Sequence, residues 1–294
     1  MSETKPDLVL TFAHGYSWSD LNIFFNSLKK TGFTGDVVVF TSRLDSNTTR
    51  VMRESGVEVR EVFIPLVKLR NVLLIPGWKP WKLLLSLIPY QGLRRAIGKR
   101  AFNIMCARFA HFHDYLQKNV ACYGKVLITD IRDVCFQKNP FVAAADIPIL
   151  SFLEPLRIKG GANGKWMEEA FGTELDPTLL DELVCCAGVT IGDAAAMLDY
   201  LTKMLSHLCS VKLMTPVAGV DQAVHNYLFH RRQLEGSTMM ENGNPVCMTM
   251  GHGDPFSLGA DDQVIADEKI VAILHQYDRN PELKKIIHKK FGQP

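Results

Sequence analysis

The chain has 294 residues, with 33 Lys and Arg against 31 Asp and Glu, so its formal net charge is only +2. That balance excludes a polycation built to bind nucleic acid and an acidic tail protein, and we predict no nucleic-acid partner. With 47% hydrophobic and 22% charged residues, the composition is typical of a globular protein and excludes disorder and fibrous folds.

The N-terminal segment lacks the pattern of a secretory signal. Acidic residues and a proline precede one apolar run of strand length, where a signal peptide has a basic region and then a longer apolar one. Seven cysteines without a Cys-x-x-Cys pair are typical of reduced, buried thiols rather than of disulfides or a zinc site. We therefore expect a cytoplasmic protein, with peripheral contact to a membrane as the open question.

The first 64 residues alternate between two periodicities. Residues 8–13 form a buried-strand run, and Ser17 with Asp20 opens a segment whose apolar residues recur at helical spacing until Gly32. The patterns then predict a strand at 36–41, a helix at 45–55 and a strand at 57–64. This order predicts a parallel sheet with right-handed crossovers, and a nucleotide is the expected ligand at the carboxyl ends of its strands.

The rest of the chain continues the α/β alternation. No repeat, low-complexity tract or Gly/Ser linker divides it, so we predict one domain over 1–294. Its expected fold class is α/β, Rossmann-like, with a central, mostly parallel sheet flanked by helices. The further predicted elements are a helix at about 100–118, strands at 125–129, 147–153 and 185–192, helices at 193–209 and after Gly219, a strand at 269–275 and a basic helix from Pro281.

A basic, apolar insert at about 65–100 interrupts this order. Between residues 62 and 113 there is no Asp or Glu, while nine Lys and Arg occur. Lysines and prolines break the apolar run before it reaches the length of a membrane span. Trp, Tyr and Leu beside Arg94, Arg95, Lys99 and Arg100 are typical of a segment lying on an anionic membrane surface. The alternative, which we favour slightly over membrane contact, is a flap or subdomain at the acceptor site that packs its apolar residues on the rest of the domain.

Two acids follow the predicted strand at 125–129. Asp130 and Asp133 leave a buried parallel strand at the edge where ligands bind. Mg²⁺ or Mn²⁺ prefers oxygen ligands and is commonly held by one or two carboxylates together with substrate phosphates. The pair therefore predicts a metal–diphosphate site; the equally weighted alternative is that one acid caps the following turn and pairs with Arg132.

The stretch VLITDIRDVCFQKNPF resembles the DxD region of GT-A glycosyltransferases, and the chain is similar to glycosyltransferase family 8 in particular. Asp133, three residues before Phe136, matches the second acid of that motif. Ile131 occupies the position of the first acid, and Asp130 lies one residue earlier. The resemblance implies a GT-A fold and transfer of a sugar from a nucleotide diphosphate sugar to a glycan-type acceptor, with Mn²⁺ or Mg²⁺ held by Asp133 and Asp130.

Three further segments resemble this family and occur in its order. CAGVTIG, with Gly188, resembles the strand that lines the sugar site, and VDQAVHNYLFH resembles the Asp-Gln helix start beside the acceptor. VAILHQYDR resembles the C-terminal strand, which implies that His275 is the third protein ligand to the metal. We expect Asp221 and Gln222 to act beside the anomeric carbon, with Asp221 either capping its helix or pointing into the cleft.

The remaining candidate residues are those expected to bind the nucleotide. They are Ala13 and Tyr16 at the end of the first strand, Arg108 on the helix before the metal strand, and Arg132 between the two acids. Tyr16 as a core ring and Arg108 as a solvated helix residue are the alternatives. If Asp221 is structural, Glu154 or the acceptor itself is the base to seek.

Two other functions compete with glycosyl transfer. A sugar nucleotidyltransferase needs a Gly-rich phosphate loop with a basic residue after the first strand, which Ala13-His-Gly-Tyr-Ser lacks. A catalytically silent, membrane-peripheral binding or scaffold protein of the same fold is favoured by the irregular spacing of the acids and by the basic insert.

Overall fold

The computed structural model describes residues 5–63, 87–88, 91–144, 147–210, 219–252 and 255–292. The insert predicted at about 65–100 therefore lies largely outside the described residues. The helices are α1 (Trp18–Lys30), α2 (Ser46–Glu54), α3 (Gln91–Ala101), α4 (Ile104–Asn119), α5 (Pro140–Ala143), α6 (Gly161–Phe171), α7 (Ala194–Leu208), α8 (Val220–His230) and α9 (Pro281–Phe291). The strands are β1 (Leu8–His14), β2 (Asp36–Ser42), β3 (Glu58–Glu61), β4 (Lys125–Thr129), β5 (Val134–Phe136), β6 (Ile149–Arg157), β7 (Leu183–Asp193), β8 (Ser237–Met240), β9 (Cys247–Thr249), β10 (Ser257–Leu258), β11 (Val264–Ala266), β12 (Lys269–Ile270) and β13 (Ile273–His275).

The central sheet has seven strands in the order β3-β2-β1-β4-β7-β6-β8. Strands β3, β2, β1 and β4 are parallel to one another, and β6 is parallel to β8. Only β7 runs against its two neighbours within this sheet. The predicted α/β fold class, with a largely parallel central sheet flanked by helices, is confirmed.

Apolar residues cover both faces of this sheet, as expected for parallel strands between helices. Leu8 and Leu10 of β1 pack with helices α4, α7 and α8 on one face. Val9, between them, packs with α1 on the other face. The alternation follows from the two-residue period of a strand, and it explains why β1 is apolar along most of its length.

Local hydrogen bonds set the starts of the helices. The backbone N–H of Ser17 donates to Asp20 Oδ2 at 2.9 Å, so α1 begins with the capping interaction that the sequence predicted. The helix predicted over about 100–118 is observed as α4, but it begins at Ile104, because the preceding helix α3 ends at Ala101. Asn103 separates them: its backbone is extended, and its Oδ1 accepts from the Cys106 N–H at 3.0 Å as an N-cap.

The strand predicted at 269–275 is two strands in different sheets. The Val271 N–H donates to Val264 O at 3.0 Å, whereas the next N–H, of Ala272, donates to Pro245 O at 2.9 Å. The chain therefore changes partner between these residues, leaving β12 in an antiparallel sheet with β10 and β11. Strand β13 forms a separate sheet in the order β5-β13-β9, and this sheet positions the candidate site.

Among the residues described, none of the helices combines the length and the apolar character that crossing a bilayer requires.

Candidate metal centre

The site lies where β4 leaves the central sheet. Asp130 directly follows the last residue of β4, and its N–H donates to Gly188 O of the neighbouring strand at 2.8 Å. This places Asp130 at the edge where the parallel strands β1 and β4 end. Ligands of open α/β sheets bind at this edge, as the sequence predicted for the two acids.

The small sheet brings Asp133 and His275 to the same place. Strand β5 begins one residue after Asp133 and pairs antiparallel with β13, so that His275 stands opposite Val134. The Gln276 N–H donates to Asp133 O at 2.7 Å, which fixes the register beside the acid. One ligand atom each from Asp130, Asp133 and His275 lie within 4.8 Å of one another, as in a group able to hold a metal ion.

His275 is buried, with 1% of its surface exposed, and its two ring nitrogens have different surroundings. Nδ1 lies 3.4 Å from Thr249 Oγ1 and 3.7 Å from Cys186 Sγ. Nε2 lies 3.6 Å from Asp130 Oδ2 and has no hydrogen-bond partner in the described part of the chain. The neighbour of Nε2 is thus the Asp130 carboxylate at ion-pair distance, and a metal ion bound by both residues would replace that contact.

Arg108 on α4 supplies positive charge beside this cluster. Its Nη1 pairs closely with Asp130 Oδ1, and its Nη2 lies 3.3 Å from Asp221 Oδ2. Only 7% of the Arg108 side chain and 4% of the Asp221 side chain are exposed. The guanidinium therefore links a partly exposed metal-ligand candidate to a buried carboxylate.

The charges shift the protonation of all three candidate ligands. Burial alone would raise the pKa of Asp130, but Arg108 and His275 lower it to about 2. Burial raises the pKa of Asp133, with His275 opposing that effect. Burial would lower the pKa of His275, but its interaction with Asp130 and the charge of Asp133 raise it above the ordinary value. The cluster thus attracts a proton to the imidazole, and a bound cation would replace that proton.

Gly188 of β7 keeps the space beside the cluster open. A Cβ atom on this residue would stand 2.6 Å from His275 Nε2 and 2.9 Å from Asp130 Oδ2. Both distances are below van der Waals contact, so any side chain would displace a candidate ligand. The close approach of Asp130 and His275 to β7 therefore requires a glycine at position 188.

The predicted nucleotide-binding residues differ in their surroundings. Tyr16 is half-buried, and burial raises the pKa of its phenol. The charge of Arg132 lowers this pKa, whereas the charges of Asp133 and Asp130 raise it further. Arg132 is exposed and pairs with Asp278 at 3.2 Å. Ala13 is completely buried, and its methyl group packs in the core with α1, which leaves only its backbone for a ligand.

Asp221 lies in the first turn of α8, and its carboxylate pairs with Arg108. The N-cap position is Gly219, and Arg108 Nη2 donates a hydrogen bond to the Asp221 carboxylate. Burial raises the pKa of Asp221, while Arg108 lowers it. Asp221 is thus a buried carboxylate paired with the arginine that also pairs with Asp130, and its expected action beside the anomeric carbon stays a prediction.

Gln222 and its neighbours on α8 are also tied to protein groups. Gln222 Oε1 accepts from the Ala187 N–H at 2.9 Å, and its Nε2 donates to Cys185 O. Asn226 Oδ1 accepts from the Cys185 N–H at 2.7 Å. The polar edge of this helix therefore holds the backbone of β7, which carries Gly188.

Sequence reasoning did not identify His252 and Thr249 as neighbours of the site. His252 Nε2 lies 3.0 Å from Glu154 Oε2, and the Glu154 charge also acts on His275. Glu154, named as an alternative base, is thus a buried carboxylate paired with a histidine. His252 stands between two glycines in the sequence, but no spacing rule connects it with a residue 98 positions away.

Comparison of the chain with protein-family models and with curated proteins found no match.

Proposed function

We propose that this protein is a metal-dependent glycosyltransferase of the GT-A type that uses a nucleotide diphosphate sugar as donor. The observation that carries the proposal is the cluster of Asp130, Asp133 and His275 at the carboxyl edge of the sheet, in which the buried His275 Nε2 makes no hydrogen bond to any residue that the structure describes. The four family-like segments in their order along the chain support it.

The donor set fits Mn²⁺ or Mg²⁺. Two carboxylates supply hard oxygen ligands and the imidazole supplies a borderline nitrogen, and His275 Nε2 lies 3.6 Å from Asp130 Oδ2. A divalent ion bound here would neutralise the negative charge on a departing nucleoside diphosphate.

The protein's own residues would prepare the site for that donor. Arg108 pairs with Oδ1 of Asp130, so it orients the carboxylate. The other oxygen, Oδ2, then lies on the side of His275. Thr249 and Cys186 contact Nδ1, which leaves Nε2 as the ligand nitrogen. Gly188 allows a ligand to approach without meeting a side chain. Exposed Arg132, which pairs with Asp278, would contact a phosphate or the nucleotide of the donor.

The proposal is tested by measuring Mn²⁺ binding and metal-dependent hydrolysis of UDP-, GDP- and TDP-sugars. Asp133→Asn and His275→Ala should each abolish both while the protein remains folded. Loss of an outer-shell partner already costs about 10–100-fold in metal affinity or activity, so loss of a ligand should cost at least that. Asp193→Asn is the matched control, because Asp193 is exposed and stands opposite Lys125 at the start of β4.

A catalytically silent protein of the same fold is the second candidate, and the Arg108–Asp130 ion pair favours it. This pair already supplies Asp130 with a positive partner. If the native protein binds Mn²⁺ but hydrolyses no donor in the panel, the silent function replaces the enzyme. If it binds no divalent ion, the metal site itself is refuted.

A further inference from the structure

Glu154 and His252 form a hydrogen-bonded pair at the same edge of the central sheet as the candidate metal ligands. Strand β7 runs antiparallel to both β4 and β6, so β4 and β6 point the same way and their carboxyl ends lie at one edge. Glu154 lies in the second half of β6, and β7 separates that strand from β4. Two strand spacings therefore lie between β6 and β4, which is about 10 Å.

The Glu154 side chain shares a face of the sheet with Cys186, a neighbour of His275. Phe152 stands opposite Cys186 in the pairing of β6 with β7, and Glu154 is two residues further along β6. Phe152 packs in the same core as Ile273 of β13, so this is the face that the small sheet covers. Burial and then the Glu154 carboxylate raise the pKa of the Cys186 thiol, in agreement with that placement.

His252 reaches the same face from the small sheet. Thr249 stands opposite His275 in the parallel pairing of β9 with β13, and the next N–H, of Met250, donates to His275 O at 2.8 Å. His252 follows Thr249 by three residues, so its Cα lies at most about 11 Å from that of Thr249. Two separate routes along the chain therefore place the Glu154–His252 pair beside the metal ligands.

The contact between the two side chains determines which ring nitrogen of His252 is basic. His252 Nε2 lies 3.0 Å from Glu154 Oε2, and a carboxylate accepts but does not donate, so Nε2 carries the hydrogen. Nδ1 is then the basic nitrogen of the neutral ring, and it has no hydrogen-bond partner in the part of the chain that the structure describes. The His252 side chain is 17% exposed and that of Glu154 is 8% exposed. A buried carboxylate thus holds a partly exposed imidazole, as in sites where histidine acts as a general base.

Other acids close to the metal ligands are held by arginines. Arg108 pairs with Asp221 as well as with Asp130, and Arg132 pairs with Asp278. A guanidinium favours the ionised form of a carboxylate, which makes that carboxylate a weaker base. His252 instead faces an anion, which would stabilise the imidazolium that forms when the ring takes up a proton.

We propose that His252 is the general base of the glycosyl transfer, with Glu154 as its positioning residue, and that the acceptor group is a hydroxyl. This inference rests on the proposed function. In the step, His252 Nδ1 takes the proton of the acceptor hydroxyl while the hydroxyl oxygen bonds to the anomeric carbon of the donor. The bond between that carbon and the diphosphate oxygen breaks, and its electron pair leaves with the nucleoside diphosphate.

The space between the dyad and the metal ligands suits this step. A base must lie about 3 Å from the hydroxyl oxygen, and that oxygen about 3–3.5 Å from the carbon that it attacks. Both separations fit within the two strand spacings between β6 and β4.

The test is hydrolysis of the donor sugars, with water in place of the acceptor, together with calorimetric binding of Mn²⁺ and of donor. His252→Gln keeps an N–H for Glu154 but has no basic nitrogen. It should lower kcat by about 100-fold or more and leave both affinities unchanged, because loss of a general base costs about 10²–10⁴-fold. Glu154→Gln should also lower kcat at unchanged KM, because an amide does not stabilise the imidazolium. His288→Ala, which removes an exposed histidine on α9, should hydrolyse donor at the native rate.

Added imidazole separates lost chemistry from misfolding. His252→Ala opens space at a partly exposed position, so imidazole should restore part of its donor hydrolysis. The same addition should restore nothing in Asp133→Asn, which lacks a metal ligand rather than a base. His252→Gln should melt close to the native temperature, because it retains a donor to Glu154.

Two results would overturn the base while leaving the proposed function intact. One is hydrolysis by His252→Gln at the native rate. The other is a loss of Mn²⁺ affinity in His252→Gln as large as its loss of activity, which would make the pair a support of the metal ligands. If the native protein hydrolyses no donor in the panel, the proposed function fails and the assignment of His252 fails with it.

Discussion

Replacing Arg108 with methionine removes the cation that lies between Asp130 and Asp221. The Arg108 Nη2 to Asp221 Oδ2 distance is 3.3 Å, and both side chains are buried. At an effective dielectric constant of about 20, unit charges at that distance attract by about 5 kcal/mol. Removing one partner of a buried ion pair costs about 3–5 kcal/mol in practice, so we expect Arg108→Met to lower the free energy of unfolding by about 4 kcal/mol.

The loss of stability in Arg108→Met should come mainly from the Asp221 carboxylate, which is then buried without a positive partner. Asp130 is 27% exposed at its side chain and can be hydrated, whereas Asp221 is only 4% exposed. Adding Asp221→Leu to Arg108→Met removes that unpaired charge and should restore about 2 kcal/mol or more. The assay is urea unfolding of the native protein, the two single variants and the double variant.

The pH dependence of stability provides a second test of the Arg108–Asp221 ion pair. Burial holds the pKa of Asp221 above its ordinary value of 3.8, and loss of Arg108 should raise it further. A carboxyl whose folded pKa is raised contributes stability at low pH and loses it as the pH rises through that pKa. Arg108→Met should therefore be more stable at about pH 5 than at about pH 8. If the effects of Arg108→Met and Asp221→Leu on the free energy of unfolding are additive and independent of pH, the buried Arg108–Asp221 ion pair is not the cause of the destabilisation.

Three further predictions concern stability and metal binding. Burial lowers the pKa of His225 to about 3, so on acidification the unfolded chain is protonated before the folded protein. The free energy of unfolding should therefore fall by about 2 kcal/mol between about pH 6.5 and 5. His225→Gln should flatten this pH dependence, and an unchanged slope would refute the lowered pKa of His225. Gly188→Ala should weaken Mn²⁺ binding by about tenfold or more, because its Cβ would stand 2.6 Å from His275 Nε2; calorimetric titration showing native affinity would exclude the close approach. Gln222→Ala should lower the free energy of unfolding by about 1–3 kcal/mol, because it leaves buried β7 backbone groups unpaired; thermal unfolding at the native midpoint would contradict this.

Local pattern was sufficient for most elements of the α/β fold. The apolar runs of β1, β2 and β4 and the Ser17–Asp20 helix start depend on residues close in the chain, and the structure contains all of them. The predicted bounds differ from the structure at Asn103, and the predicted strand is divided between Val271 and Ala272. At these places a side-chain cap or a change of hydrogen-bond partner, rather than periodicity, ends the element.

The candidate metal ligands were also accessible from the sequence. Asp130 and Asp133 follow a strand whose carboxyl end could be recognised, and His275 ends a second apolar run. What the sequence could not indicate was that Asp130, one residue early for the family motif, still lies with the other two. The turn between β4 and β5 and the pairing of β5 with β13 bring them within 4.8 Å.

The contacts of Asp221, Gln222 and Arg108 were decided by the tertiary structure alone. In the sequence, Asp221 is a helix-start acid and Arg108 a helix arginine, 113 positions apart, and each has an ordinary solvated alternative. Only packing of α4 and α8 against the same sheet buries them together, and burial makes a charge require a partner. Periodicity reports which face of an element is apolar, whereas the identity of a buried charge's partner depends on how distant elements meet.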